Sequence, residues 1–213
     1  LAGKDFDYVV HAAGVTKCLQ KEDFFRVNTE GTISLVNAIR SIGMPLKRFI
    51  YVSSLSVFGP IREQMPYKEI KETDTPHPNT AYGQSKLKSE QYLASLNDFP
   101  YIILRPTGVY GPREKDYFLM AKSIKQHTDF SVGYKPQDIT FVYVDDVVQA
   151  IFLAIDHGNV GHSYFLSDGN VYSSRTFSDL IHNELGDKWL LRIKAPIWLL
   201  RIVTFCGEYI GRI

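Results

Sequence analysis

In AYGQSKLKSE (81–90) a tyrosine stands four positions ahead of a lysine, which on a helix puts the two side chains on one face. A free phenol has a pKa near 10 and is a poor base at neutral pH. An ammonium about 4 Å away, at an effective dielectric of ~20, would stabilise the phenolate by about 4 kcal/mol, or roughly three pKa units. A phenol tuned in that way can exchange a proton with an alcohol or carbonyl oxygen. The spacing alone decides nothing. With 13 tyrosines and 14 lysines in 213 residues, chance gives about one such pair, and a second, Tyr67 and Lys71 in YKEIK, is present.

The surrounding elements separate the two. YVVHAAG (8–14) is a β-branched apolar run closed by small residues, as in a buried parallel strand and its turn. Helical spacing runs from about Glu22 to Ile42 and stops at Gly43 and Pro45. RFIYVSS (48–54) is a second strand and YIILRP (101–106) a third. Residues 56–79 are loop-like, punctuated by Pro60, Pro66, Pro76 and Pro78, and Thr80 can cap a helix to about Leu96. Tyr67 and Lys71 therefore fall in the loop, while Tyr82 lies in the first turn of a helix. Ser53 and Ser54 end the preceding strand. A serine at a strand end and a Tyr/Lys pair one crossover later converge on one small volume, so Tyr82 and Lys86 are the candidates.

Farther on, the pattern predicts a helix around 116–127, an extended piece at 139–144 and a helix over DVVQAIFLAIDH capped by Asp145 or Asp146. A short strand at 163–169, a helix capped by Ser174 and stopped by Gly186, and an amphipathic helix after Pro196 follow. Alternating strands and helices in the first half imply crossovers and a parallel sheet. The fold class is thus α/β, a Rossmann-like doubly wound parallel sheet followed by a small mixed α/β lobe. Residues 1–110 are expected to carry the catalytic groups, and 111–213 to form mostly a substrate-binding lobe. Within that lobe, 139–155 are candidates for a return to the sheet.

The bulk numbers are those of an ordinary globular chain, with 45% apolar and 22% charged residues. A formal charge of +1 gives no footprint for nucleic acid or an anionic membrane. Two cysteines, Cys18 and Cys206, form neither a disulfide framework nor a zinc set, which points to a reducing, cytoplasmic setting. The greasiest stretch, APIWLLRIVTFC, is too short to span a membrane and carries Arg201. His11 has no second ligand at metal-binding spacing, so it reads as strand-end packing or a cofactor-edge contact, and no metal is expected. Arg113 reads as solvated rather than as an anion contact.

Taken in order, these motifs resemble the extended short-chain dehydrogenase/reductase superfamily, in its NAD(P)-dependent epimerase/dehydratase group. VVHAAG resembles the strand whose small residues face the cofactor, and RVNTEGT the helix whose asparagine, here Asn28, supports the active site. YVSSLSVFG is similar to the serine motif; the family's hydroxyl lies five residues before the glycine, and Gly59 therefore points to Ser54. AYGQSK matches the tyrosine–lysine motif, LRPTGVYGP the segment bordering the nicotinamide, and FVYVDDVVQAI the return segment of the substrate lobe. The resemblance implies catalysis by Ser54, Tyr82 and Lys86. It implies NAD or NADP contacts from Ala12, Ala13, Gly14, Ser53, Tyr82, Lys86, Pro106, Thr107, Gly108 and Val109.

The resemblance also implies a small-molecule substrate, with a nucleotide-sugar as the leading class. A hydrophobic alcohol or ketone of the 3-beta-hydroxysteroid or dihydroflavonol type is the alternative. A non-catalytic cofactor sensor is the second alternative, against which an intact Ser/Tyr/Lys set argues. The family opens with a strand, a glycine-rich phosphate turn and a helix, and nothing of that kind precedes YVVHAAG. Leu1 at the start and EYIGRI at the end read as cuts from a longer chain, with the first three strands missing. An apolar strand left at a sheet edge recruits other chains, so a homo-oligomer and poor cofactor binding by this piece alone are the expectations.

Overall fold

Tyr8–His11 (β1), Arg48–Val52 (β2), Tyr101–Pro106 (β3) and Ser163–Leu166 (β8) form a four-stranded sheet in the order β1-β2-β3-β8. Every neighbouring pair is parallel, with Val10 opposite Ile50, Ile50 opposite Ile102 and Leu104 opposite Tyr164. The computed structural model describes residues 5–61, 66–134, 137–186, 189–196 and 198. The chain divides into two compact units, residues 1–109 with 141–168 and residues 110–140 with 169–213.

The sheet of the first unit is covered on both faces, which is why β2 and β3 are mostly apolar, Arg48 and Arg105 apart, rather than alternating. Phe49, Tyr51 and Ile103 face the helices Gly31–Ser41 (α2) and Ala81–Ala94 (α3), where Val36, Ile39 and Leu93 complete a buried cluster. Ile50, Ile102 and Leu104 face the helix Val144–His157 (α5) and pack on Ala154, Ile151 and Ile155. Each fully buried aliphatic or aromatic side chain contributes roughly 1.5–3 kcal/mol of transfer free energy. The strand ends that carry function are thus fixed by a two-sided core. Among the described residues only β2 lies beside β1, and on the α5 side its Tyr8 and Val10 stay 39% and 42% exposed.

Several elements differ from the sequence expectation. The helical stretch after Leu19 is three consecutive pieces: Lys21–Phe24 (α1), a π-helical segment Phe25–Glu30, and α2. The strand at 8–14 ends at His11, leaving Ala12 to Gly14 as exposed turn. Thr80 caps α3 as expected, its hydroxyl accepting from the Gly83 amide at 3.0 Å. Asp145 and Asp146 do not cap α5. The position before the helix is Tyr143, and both carboxylates lie in the first turn, where they still face the positive dipole end. The extended piece at 139–144 is divided between Asp138–Ile139 (β6) and Phe141–Tyr143 (β7). β7 pairs with Gly108–Tyr110 (β4) rather than with the main sheet, which is joined instead by β8.

In the second unit, Thr128–Val132 (β5) pairs in parallel with Leu191–Ala195 (β10), and β6 pairs antiparallel with Tyr172–Ser173 (β9). Asp116–Lys125 (α4) packs on Ser174–Leu185 (α6), with the Tyr117 and Phe177 rings edge to face at 5.6 Å. Ser173, not Ser174, caps α6: its hydroxyl accepts from the Thr176 amide at 3.0 Å. Gly186 ends that helix at φ +68°, a left-handed conformation that favours glycine. The amphipathic helix expected after Pro196 falls on residues that, Trp198 apart, lie outside the described ones.

Candidate active site

The carboxyl ends of β1, β2 and β3 and the first turns of α3 bring the sequence candidates together. Ser54 lies two residues past the end of β2, with extended backbone (φ −161°, ψ 150°), and caps a 3-10 turn over Leu55–Val57 by accepting from the Ser56 amide. Tyr82 lies in the first turn of α3. The two elements approach so closely that a Cβ on Gly83 would sit 2.4 Å from the Ser56 carbonyl oxygen, so no other residue fits there without moving backbone. That contact sets the Ser54 hydroxyl, which donates to Ser56 Oγ at 3.1 Å, near the Tyr82 phenol. The Phe24 ring meets Tyr82 edge-on at 6.2 Å.

Lys86 lies one turn beyond Tyr82 and is 4% exposed. Its ammonium donates to the Val52 carbonyl at 2.9 Å and lies 4.9 Å from the centre of the Tyr51 ring. Burial lowers its pKa to about 8, with the Glu90 carboxylate opposing. The phenol of Tyr82 moves the other way: burial raises its pKa, and the nearby Ser54 hydroxyl opposes. These findings correct the expectation that the Lys86 ammonium draws the phenol down. The amine is turned to the strand end instead, and desolvation is the stronger influence on both groups.

Asn28 ties these parts together from inside the π-helical segment, a distortion frequent at functional sites. Its carboxamide accepts from the Val15 amide at 2.8 Å and donates to the Val15 carbonyl at 3.1 Å and to Ser85 Oγ at 3.0 Å. Its own carbonyl accepts from the hydroxyls of Thr32 and Ser89 at 2.6 and 2.9 Å. The turn after β1 is thereby fastened to α3. A Cβ on Gly14 would meet Asn28 Oδ1 at 2.9 Å and Lys86 Nζ at 3.3 Å, so glycine lets that turn lie against the lysine.

The residues expected at a nicotinamide dinucleotide are placed unequally. Ala12, Ala13 and Gly14 are exposed small residues, with Gly14 against Lys86. Thr107 Oγ1 is a buried hydroxyl without a hydrogen-bond partner, Gly108 and Val109 are half-buried, and Pro106 is buried at the end of β3. A small-residue turn, an amine with spare donors and an orphaned hydroxyl at the strand ends fit such a cofactor. Ser53 does not. It is 3% exposed, and its hydroxyl donates to Glu90 Oε1 at 2.5 Å, away from the mouth of the sheet. Its sequence position beside Ser54 hid this, because neighbouring residues on a strand face opposite ways. His11 is also buried, its Nε2 hydrogen-bonded to Thr32 Oγ1 at 2.8 Å, with burial and then Lys86 lowering its pKa. Among the described residues, no cluster of three or more His, Cys, Asp or Glu could hold a metal. None of the described helices is long and apolar enough to cross a membrane.

Two residues that the sequence reading passed over lie beneath this site, Glu90 and Arg105. Their signal was present: Glu90 continues the Tyr82, Lys86 spacing by one more turn, and Arg105 interrupts the apolar run YIILRP. Charged side chains at such positions are seldom fully buried unless paired.

The geometry sits within a broader likeness. Residues 1–167 match the NAD dependent epimerase/dehydratase family. The chain belongs to that family. It is 28% identical over 222 residues to the UDP-glucose 4-epimerase of Vibrio cholerae, covering 99% of this chain and 64% of that relative. It is 25% identical over 215 residues to the 3 beta-hydroxysteroid dehydrogenase/Delta 5-->4-isomerase of Mycobacterium tuberculosis, covering 89% of this chain and 56% of that one. The structure of RMD from Pseudomonas aeruginosa complexed with NADPH superposes with a TM-score of 0.78 at 25% identity, over 89% of this chain and 69% of that one. The chain spans less than two thirds of the length of these curated relatives. The fold of this family member is the α/β parallel-sheet Rossmann type.

Proposed function

We propose that the protein is an NAD- or NADP-dependent oxidoreductase of the epimerase/dehydratase type, acting at a hydroxyl- or carbonyl-bearing carbon of a nucleotide-sugar. The observation that carries this reading is the convergence of Ser54 and Tyr82 beside a buried Lys86, at the carboxyl ends of parallel strands. In open α/β sheets that edge is where ligands bind.

In this reading the substrate oxygen sits against Ser54 Oγ and the Tyr82 phenol. Ser54 holds the oxygen by hydrogen bonding, and Tyr82 passes the proton. In the oxidising direction the hydroxyl proton goes to Tyr82 as the carbon–oxygen double bond forms; in the reducing direction the phenol returns it. A phenol whose pKa is raised by burial is protonated at neutral pH and so can give its proton in the reducing direction. In the oxidising direction it must first release that proton to accept the one from the substrate hydroxyl. Ala12 to Gly14, Thr107, Gly108, Val109 and Lys86 would hold the dinucleotide, which would take hydride from the reacting carbon in the oxidising direction and give it back in the reducing one. Lys86 contributes donors for a ribose hydroxyl beyond the one it gives Val52. Asn28 acts through the β1 turn and Ser85.

A nucleotide-sugar is favoured by the epimerase relative, and the steroid dehydrogenase relative supports the hydrophobic-alcohol alternative. The test is turnover by the whole protein with UDP- and dTDP-sugars against hydrophobic ketones, each with NAD and NADP, in the wild type and in Tyr82→Phe. Turnover of a nucleotide-sugar that is lost in Tyr82→Phe supports the proposal. Turnover of the ketones alone assigns the alternative substrate. Wild-type rates in Tyr82→Phe would leave a cofactor-binding protein without this chemistry.

A further inference from the structure

Beneath the Ser54/Tyr82/Lys86 group lies a buried ion pair that a proton-transfer role for those three does not require. Arg105 donates to Glu90 through Nη2 at 2.7 Å and through Nε at 3.2 and 3.3 Å, a forked geometry, with side chains only 10% and 5% exposed. The guanidinium lies 5.1 Å from the Phe58 ring centre and 6.0 Å from that of Phe165. Desolvating two charges costs several kcal/mol per ion before their attraction is counted, and apolar replacements of such pairs are often neutral or stabilising. A pair of this kind calls for a reason other than stability.

Its surroundings supply one. Glu90 follows Lys86 by one turn on α3, so Tyr82, Lys86 and Glu90 share a helix face. The same carboxylate accepts from Ser53, the residue before Ser54, while the Lys86 ammonium grips the carbonyl of Val52, the residue before that. The end of β2 is therefore held from two consecutive turns of one helix. The charged and titratable groups around Lys86 are His11 from β1, Tyr51 from β2, and Tyr82 and Glu90 from α3, with Arg105 of β3 behind the carboxylate. Of these, Glu90 is the one anion.

We propose that Glu90 and Arg105 form a positioning pair: Glu90 holds the β2 end that bears Ser54 and sets its negative charge beside Lys86, and Arg105 fixes that carboxylate in place through its forked contact. The inference rests on the reading of Tyr82 and Lys86 given above. Neither residue of the pair touches substrate. The removal of its charge is felt at Lys86 because burial already works against the ammonium, lowering its pKa to about 8.

The test is competitive acylation of the Lys86 amine across pH in the whole protein, read by peptide mass spectrometry with surface lysines as internal standards. Wild-type reactivity is expected to titrate with a midpoint near 8. In Glu90→Gln the midpoint falls, and a fall of half a unit reads as a rise of about threefold in Lys86 labelling at pH 7. Arg105→Lys, which keeps a cation beside the carboxylate, retains the wild-type midpoint. A midpoint unchanged in Glu90→Gln, with only the melting temperature lowered, overturns the proposal and leaves the pair a structural one. If Glu90→Gln does not fold, the double variant E90Q/R105Q, which leaves no buried guanidinium without its carboxylate, carries the same measurement with the same two readings. Because labelling needs neither substrate nor cofactor, its outcome is separate from that of the Tyr82→Phe turnover test.

Discussion

Two tyrosine–lysine pairs with identical spacing, Tyr67/Lys71 and Tyr82/Lys86, have been given different environments. Four residues of helix bring side chains within about 5–6 Å on one face, whereas four residues of extended chain can span roughly 13 Å. Tyr82 and Lys86 lie on α3, the lysine buried and the phenol half-buried beside Ser54. Residues 67–71 have no regular structure, and Lys71 is exposed, with its backbone amide and carbonyl engaged in a turn with Asp74. The difference teaches that the spacing acquires chemical meaning only from the element that carries it and from the strand end opposite.

The largest expected effect that would break this comparison belongs to Tyr82. Tyr82→Phe removes the proton carrier and leaves the ring, so turnover by the whole protein should fall about 10²–10⁴-fold. Equal turnover losses in Tyr67→Phe and Tyr82→Phe would erase the distinction. Next comes Ser54→Ala, which deletes one hydrogen bond to the reacting oxygen; a loss of roughly 10–100-fold in kcat/KM is expected from steady-state kinetics.

Lys86 sharpens the comparison through stability. Its folded pKa is depressed to about 8 from 10.5, so above pH 8 the native state gives up a proton that the unfolded chain keeps. The unfolded state then binds more protons, and stability from this group rises with pH between about 8 and 10.5. Above pH 10 the raised pKa values of Tyr51 and Tyr82 oppose the trend, since those phenols stay protonated in the fold. Urea unfolding should therefore show wild type gaining roughly 1–2 kcal/mol relative to Lys86→Met between pH 8 and 9.5. An exposed lysine gives no such gain, and Lys71→Met should track the wild type. The smallest effect is the double variant Tyr67→Phe, Lys71→Met, expected to change turnover less than twofold and stability by about 0.5 kcal/mol or less.

Much of this was legible in the sequence because apolar periodicity and terminal punctuation are local signals. β2, α3 and β3 follow from such signals, as does the cap at Thr80. What escaped was non-local. Nothing in YVSS says which serine turns inward, and only the partner, Glu90, decides that Ser53 does. The ammonium of Lys86 was expected to face the phenol, but the Val52 carbonyl lies within its reach and takes it. The return of the chain to the main sheet through β8 instead of 139–144 depends on the edge that β3 leaves open. The π-helical segment around Asn28 likewise answers to contacts with Val15, Ser85 and Ser89, far away in sequence.

The central claim is that Ser54 and Tyr82 act on one oxygen as a unit, and a double-mutant cycle on kcat/KM tests it most directly. If the account holds, Ser54→Ala adds little to the loss already caused by Tyr82→Phe, because residues serving one step are strongly non-additive. Losses that multiply independently would mean that the two hydroxyls serve separate tasks, and would contradict it.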